Sequence, residues 1–114
     1  MKTWTLIFLE VDKDRFEEML SGVKVIETRA ATPKYQPIAI GDEVKFVCGD
    51  DSFTRVISKK YQWSGVDEMV KEIPFKKVMP NVASVEEMKS VYSSYPGYDQ
   101  KLKEYGLLGF EFTP

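Results

Sequence analysis

The sequence predicts an α+β domain, a small β-barrel of mixed or antiparallel strands with helices packed on its outside. Runs with strand character are more numerous than a helical bundle could use, and several of them follow one another through turn signals. Amphipathic runs with helical spacing lie before and after these strands, and no linker, repeat or low-complexity tract separates them. We therefore expect residues 1–114 to form a single domain.

The first part of the chain predicts a strand, a helix and a second strand. Large apolar side chains over residues 6–10 are typical of a strand. Asp12 is a candidate N-cap, and apolar side chains at spacings of three and four predict a helix over residues 13–21 that ends at Gly22. β-Branched residues predict the next strand over residues 24–29, directly after this helix end.

The central part of the chain predicts a β-hairpin. Apolar and polar side chains alternate over residues 43–48, and this pattern places Cys48 on the buried face of a strand. Residues 49–52 are a strong turn signal, and residues 53–63 form the second arm of the hairpin. The loop before the hairpin spans residues 30–37 and contains two prolines.

The last part of the chain predicts helices and a closing strand. Ser64 caps a short helix, and Ser84 with Glu87 forms a capping box that opens another. A last amphipathic stretch leads to an apolar strand over residues 107–112. We expect this strand to return beside the first strand and to close the barrel.

Composition excludes several classes of function. The chain has no histidine, so histidine-based acid–base catalysis and histidine zinc sites are excluded, and we find no metal-ligand spacing and expect no cofactor. The single cysteine allows no intramolecular disulfide. The N-terminal apolar run is too short for a signal peptide, and no run approaches the roughly 20 apolar residues that span a bilayer. We therefore expect a cytoplasmic protein with no membrane partner.

The charge distribution argues against a protein that holds long duplex nucleic acid. The net charge is −2, whereas proteins that bind long nucleic acid without sequence preference are usually basic. Residues 24–60 carry seven Lys or Arg against five Asp or Glu, and the segments on either side are each net negative. Any positive surface must therefore be local, and it fits a small or single-stranded ligand.

The most informative segment contains Gly22, Lys24, Glu27 and Arg29. Glu27 and Arg29 are two residues apart on the predicted strand, so their side chains share a face. Lys24 follows the helix-ending glycine, where the chain need not be extended. If the three side chains converge, they form a cationic cleft with one acceptor, which suits a phosphate, a carbonyl or a nucleobase edge. The alternative is an ordinary ion pair on a solvated sheet, which contributes little.

These four residues match all fixed positions of the Gly-x-Lys-x-x-Glu-x-Arg signature, so the chain resembles the ASCH family of the PUA-like superfamily. The pair Gly41-Asp42 before an alternating strand is similar to a second family feature. The resemblance covers nearly the whole chain. It implies a PUA-like barrel with a cleft beside the motif that binds RNA or a nucleoside-sized ligand.

Three further side chains are candidates for the same ligand site. Lys34 and Tyr35 lie in the loop after the motif and could cover the cleft. Trp63 could stack on a base, as aromatic residues do in single-stranded nucleic acid sites. The alternative for the aromatic residues is core or rim packing.

The resemblance also implies an enzymatic alternative. Some family members are amidohydrolases that deacetylate N4-acetylcytidine, and others are ribonucleases. The lysine of the amidohydrolases corresponds to Lys24, but their threonine nucleophile would fall at Glu27, and the place of their catalytic glutamate is near Asn81. A different hydrolase would use Glu27 as a base toward water and Lys24 to stabilise an oxyanion. A third alternative is a protein–protein adaptor.

Overall fold

A computed structural model describes residues 1–113, which form a mixed, curled half-barrel sheet of five strands with helices packed around it. The strands are β1 (Thr3–Phe8), β2 (Ile26–Ala30), β3 (Glu43–Cys48), β4 (Asp51–Trp63) and β5 (Leu107–Phe112). The four α-helices within these described residues are α1 (Lys13–Ser21), α2 (Val66–Glu72), α3 (Val85–Ser94) and α4 (Tyr98–Tyr105). The α+β class predicted from the sequence is confirmed.

Two helix termini have the caps that the sequence predicts. Gly22 ends α1 in the left-handed conformation, with φ of 86°, and its amide donates to the Met19 carbonyl. Ser84 Oγ accepts from the Glu87 amide at 3.1 Å, whereas the Glu87 carboxylate accepts from the Ala83 amide at 2.9 Å rather than from Ser84. None of the helices in residues 1–113 combines the length and the apolar character needed to cross a membrane.

The sheet order is β1-β3-β4-β5-β2, with β1 parallel to β3 and every other neighbouring pair antiparallel. The hairpin of β3 and β4 is confirmed, and its turn is shorter than predicted because Cys48 pairs directly with Asp51. The last strand lies between β4 and β2 and does not pair with β1, so the predicted closure next to the first strand is wrong. Strands β1 and β2 consequently occupy the two ends of the sheet.

Strand β1 begins and ends earlier than predicted. Its limits are set by pairing with β3, which is distant in the sequence. It pairs with β3 in a register that joins Thr3 to Glu43. Asp42, immediately before β3, reinforces this register, since its Oδ2 accepts from Trp4 Nε1 at 2.9 Å and its Oδ1 accepts from the Lys2 amide at 3.2 Å. The pKa of Asp42 lies below its usual value, first because of the Trp4 hydrogen bond. After β1, the chain turns through a 3₁₀ helix at Glu10–Asp12.

The sheet separates two hydrophobic cores, which we call the α1 core and the α2–α3 core. The α1 core contains α1 and the apolar face of β3, including Phe16, Phe46 and Cys48. Burial of Cys48 is as predicted, and it leaves the thiol inaccessible. The α2–α3 core contains Ile26 and Met88 together with apolar residues from α2. Strand β2 contributes Ile26 to the α2–α3 core, and Ala31, directly after the strand, belongs to the α1 core.

Trp63 lies in the α2–α3 core, and its ring restricts the size of one residue in the neighbouring strand β5. Its indole nitrogen donates to Glu72 Oε1 at 2.8 Å, and its ring stacks on Tyr61. A Cβ at Gly109 would lie 2.6 Å from Trp63 Cζ3, closer than van der Waals contact allows. Glycine at this strand position therefore makes room for the indole ring.

Candidate functional site

The end of α1 brings Lys24 next to the side chains of β2. The amide of Lys24 donates to the Glu18 carbonyl at 3.0 Å, and the Val25 amide donates to the Lys77 carbonyl, so neither residue belongs to the strand. Strand β2 begins only at Ile26. This irregular start turns Lys24 toward Glu27, although strict strand alternation would place the two on opposite faces.

Lys24 is buried behind Glu27. Its side chain is 3% exposed, and Nζ lies 3.5 Å from Glu27 Oε1. The same ammonium donates to the Val78 carbonyl at 2.5 Å. Lys24 thus joins the end of α1, β2 and the segment after α2.

Glu27 holds Arg29 in place. Its Oε2 lies 3.4 Å from Arg29 Nη2, while its Oε1 accepts from the Thr28 amide at 3.0 Å. The Arg29 side chain is 20% exposed, and the Glu27 side chain is 8% exposed. A guanidinium has five N–H donors, so the contact with Glu27 leaves donors for a ligand. Lys24 and Arg29 therefore both converge on one carboxylate, and Arg29 is the more accessible cation.

The pKa values of these three groups reflect their different surroundings. Burial raises the pKa of Glu27, but Lys24, Arg29 and the Thr28 amide together outweigh it and leave this pKa below its usual value. Burial lowers the pKa of Lys24, and its one close carboxylate does not fully compensate. For Arg29, burial is outweighed by Glu27, and the pKa rises. Glu27 is therefore ionised at neutral pH, and it is a weak base.

A cavity of about 280 Å³ lies between the end of β1 and the middle of β2 and includes Glu27 and Arg29. The cavity carries two acidic and two basic side chains, which balance in formal charge, together with two tyrosines. Its lining residues are Ile7, Phe8, Leu9, Asp12, Arg15, Glu27, Thr28, Arg29, Tyr95 and Tyr98. Flat aromatic surfaces beside fixed hydrogen-bonding groups suit a planar polar ligand.

Tyrosines of α3, of α4 and of the segment between them cover the outer edge of β2. Tyr92 and Thr28 share a buried hydrogen bond of 2.5 Å between their hydroxyls. The Tyr98 hydroxyl accepts from the Ala30 amide at 3.3 Å, and the rings of Tyr95 and Tyr98 meet edge to face at 5.2 Å. Burial raises the pKa values of all three tyrosines, so they are neutral donors or acceptors at physiological pH.

Asp12 and Arg15 form the other side of the cavity. Asp12 occupies the N-cap position of α1 as predicted, but its side chain makes no capping hydrogen bond. Its Oδ1 instead accepts from Arg15 Nη1 at 3.3 Å. The Arg15 guanidinium carbon also lies 6.0 Å from the centre of the Tyr95 ring. This half-exposed ion pair joins α1 to the segment between α3 and α4 at the cavity.

The other residues predicted from the sequence occupy different places. Tyr35 lies beside the site, with its ring centre 5.7 Å from the Arg29 guanidinium carbon, and exposed Lys34 lies over the Tyr35 ring at 5.3 Å. Neither residue lines the cavity. Trp63 is buried in the α2–α3 core and also lies outside it.

Among the lining residues, the sequence predicted only Glu27 and Arg29 for the site. The charged and tyrosine side chains that it missed are Asp12, Arg15, Tyr95 and Tyr98. The Asp-x-x-Arg spacing was visible, but a capping function explained the aspartate equally well. Tyrosines at every third position, from Tyr92 to Tyr98, were a second signal. Pro96-Gly97 interrupts this series, so helical periodicity gave no reason to place the three side chains together.

Comparisons with known proteins show solved structures that share this fold. No protein-family model matches the chain, and no curated protein does so at a significant level. The crystal structure of the hypothetical protein PH0355 is similar over 100% of this chain and 99% of that one, with a TM-score of 0.82 and 27% identity. The solution structure of protein PF0455 from Pyrococcus furiosus is similar over 98% and 96%, with a TM-score of 0.78 and 25% identity. The chain therefore shares its whole architecture with these proteins, and this architecture is compatible with a PUA-like fold.

Proposed function

We propose that this protein is an ASCH-type domain that binds RNA or a single nucleoside in the cavity beside Arg29. The ASCH signature at Gly22, Lys24, Glu27 and Arg29 supports this family assignment, because each of the four residues has its own structural role at one site. The glycine ends the helix, the lysine neutralises the carboxylate from behind, and the carboxylate holds the arginine at the cavity.

The observation that carries the proposal is the environment of Arg29. Its guanidinium carbon lies 5.7 Å from the centres of both the Phe8 and the Tyr35 rings, and Glu27 fixes its direction. Tyr95 and Tyr98 supply further aromatic surface in the same cavity. Single-stranded nucleic acid sites combine aromatic and guanidinium planes for stacking with directed hydrogen bonds to bases.

The size and charge of the cavity favour one base or nucleoside over a longer segment. Its volume of about 280 Å³ is just below the range of roughly 300–1,000 Å³ that is typical of pockets for drug-sized ligands. Two carboxylates offset the two guanidinium groups, so phosphate attraction alone is weak. Recognition then depends on the base itself.

Binding is better supported than hydrolysis. In the hydrolase alternative, Glu27 activates water and Lys24 stabilises an oxyanion, but Lys24 does not line the cavity and Glu27 is a weak base. Incubation with N4-acetylcytidine and with RNA, followed by chromatography, tests this alternative directly. Product formation that a Lys24→Ala variant abolishes would favour the hydrolase over the binding module.

A peptide-binding adaptor has less support at the β2 edge of this site. Peptides commonly add to a sheet edge through main-chain hydrogen bonds. At β2 the outward amides of Thr28 and Ala30 are already paired, with the Glu27 carboxylate and the Tyr98 hydroxyl respectively. Strand addition at this edge would require these bonds to break.

An Arg29→Ala variant tests the proposed function. The probes are adenosine, cytidine, guanosine, uridine and a single-stranded RNA of about ten nucleotides. Loss of a hydrogen bond to a charged group costs about 1.5–3 kcal/mol, so we expect calorimetry to show affinity about tenfold to a hundredfold weaker. Arg55→Ala is the matched control, because Arg55 lies over Phe53 outside the cavity. Equal affinities for wild type and Arg29→Ala would refute the proposal.

A further inference from the structure

The cavity lies in the gap between the two end strands of the half-barrel. Ile7 and Phe8 of β1 line one side, and Thr28 and Arg29 of β2 line the other. These strands do not pair with each other within residues 1–113, since β1 and β2 are at opposite ends of the strand order. A ligand in the cavity therefore meets the backbone edge of a strand on each side.

At the β2 edge, the groups available to a ligand belong to side chains and not to the main chain. The Thr28 amide donates to Glu27 Oε1 at 3.0 Å, and the Ala30 amide donates to the Tyr98 hydroxyl at 3.3 Å. With these amides occupied, the polar groups left for a ligand on this side come mainly from Arg29 and from the remaining acceptor capacity of Glu27.

The β1 edge offers main-chain groups. The Lys2 carbonyl accepts from the Glu43 amide at 2.8 Å, so even-numbered residues of β1 turn their backbone groups toward β3. In a parallel pair this direction alternates along the strand. The N–H and C=O of Ile7 consequently point away from β3, toward the side where the cavity lies. The Ile7 residue is 70% exposed, so no neighbouring element within residues 1–113 covers this position of the strand edge.

We propose that the main chain of Ile7 recognises the ligand through two hydrogen bonds. Its N–H donates to an acceptor, and its C=O accepts from a donor, where the acceptor and the donor are neighbours on one edge of a flat heterocycle. The Watson–Crick edge of every nucleobase carries a donor next to an acceptor. The ring fills the gap between β1 and β2, with Ile7 on one side and Arg29 with Glu27 on the other. This inference rests on the proposed function and defines the ligand class more narrowly, as a base recognised by two opposite edges.

Proline substitution on the edge strand tests the inference, because proline removes an N–H and is tolerated where that N–H faces out of the sheet. Ile7→Pro removes the proposed donor, and Ile7→Ala removes the side chain while keeping the donor. Thr5→Pro is the matched control, since Thr5 has the same orientation in β1 and lies outside the cavity. The probes are adenosine, cytidine, guanosine, uridine and a single-stranded RNA of about ten nucleotides, measured by calorimetry.

We expect Ile7→Pro to weaken binding by about twofold to tenfold, the range for one neutral hydrogen bond. Ile7→Ala and Thr5→Pro should bind like the wild type. If Ile7→Pro also binds like the wild type while Arg29→Ala does not, the inference is wrong and the proposed function stands. If none of the probes binds the wild type, the proposed function fails and the inference fails with it.

Amide hydrogen exchange on the wild-type protein covers the case in which Ile7→Pro does not fold. A saturating nucleoside should slow exchange of the Ile7 amide, because a hydrogen-bonded amide is protected. The Thr5 amide, on the same edge of β1, is the internal reference. An Ile7 amide that exchanges equally fast with and without bound nucleoside would overturn the inference.

Discussion

At the scale of single residues, the site depends on how one buried carboxylate is neutralised. Glu27 faces two cations and one backbone amide, and each of these partners lies within three positions of it along the chain. The charges therefore do not rely on distant parts of the fold for their pairing. This local arrangement explains why the spacing of Lys24, Glu27 and Arg29 could predict their convergence.

Removing the charge of Glu27 alone should destabilise the protein more than removing the charges of Glu27 and Lys24 together. Glu27→Gln leaves the ammonium of Lys24 buried without a counter-ion, and breaking a buried pair in this way costs about 3–5 kcal/mol. The double variant Lys24→Met with Glu27→Gln removes the orphaned charge and should recover part of the loss. Urea unfolding of both single variants and the double variant measures this coupling, and strictly additive effects would contradict it.

The depressed pKa of Glu27 predicts how stability depends on pH. Because its folded-state pKa lies below the ordinary value of 4.5, ionised Glu27 contributes its full stability above about pH 4.5 and loses it as pH falls through the folded-state pKa. The difference in unfolding free energy between the wild type and the double variant Lys24→Met with Glu27→Gln, in which neither position titrates, should therefore be constant from neutral pH to about 4.5 and shrink below it. A difference that grows on acidification would contradict a folded-state pKa of Glu27 below the ordinary value.

At the scale of elements, the sequence predicted best those segments whose ends are set locally. Helix α1 matches the prediction because Gly22 adopts the left-handed conformation, and β3 matches because its alternation is strict. Strand β1 was misplaced because its limits follow from pairing with β3 and from the contacts of Asp42. These partners are some 40 positions apart along the chain, beyond the reach of a local pattern.

The cavity itself could be predicted only in part, for the same reason. Glu27 and Arg29 share a strand, so their common face follows from strand periodicity. The opposite wall brings Arg15 of α1 next to Tyr95, which follows α3, and only the tertiary packing of these helices creates that contact. A sequence pattern identifies the two residues separately, but it does not place them together.

The attachment of α3 to β2 should depend on the hydroxyl pair of Tyr92 and Thr28. Tyr92→Phe leaves the buried Thr28 hydroxyl without its partner, which costs about 1–3 kcal/mol. The double variant Tyr92→Phe with Thr28→Val replaces both hydroxyls with apolar groups and should be closer to wild-type stability. Thermal and urea unfolding would measure both effects, and a double variant less stable than Tyr92→Phe would argue against this pair as the link between the elements.

At the scale of the whole molecule, a chain with a net charge of −2 presents a balanced cavity rather than a basic surface. Its structural neighbours share this half-barrel and its surrounding helices. Under the proposed function, ligand selection then arises inside the cavity, from Arg29 and the groups around it. Because the charges of the cavity balance, the affinity for RNA should respond little to salt concentration.

Binding of single-stranded RNA should depend only weakly on salt concentration. Each phosphate neutralised on a single strand contributes about −0.7 to the slope of log K against log salt, so the two cavity arginines, Arg15 and Arg29, allow a slope no steeper than about −1.4. Fluorescence anisotropy with a labelled RNA between roughly 50 and 200 mM salt measures this slope. Free nucleosides carry no phosphate, and their affinity should hardly change over the same range. A slope of about −3 or steeper would require at least four phosphate contacts, which means that RNA lies along a surface outside the cavity.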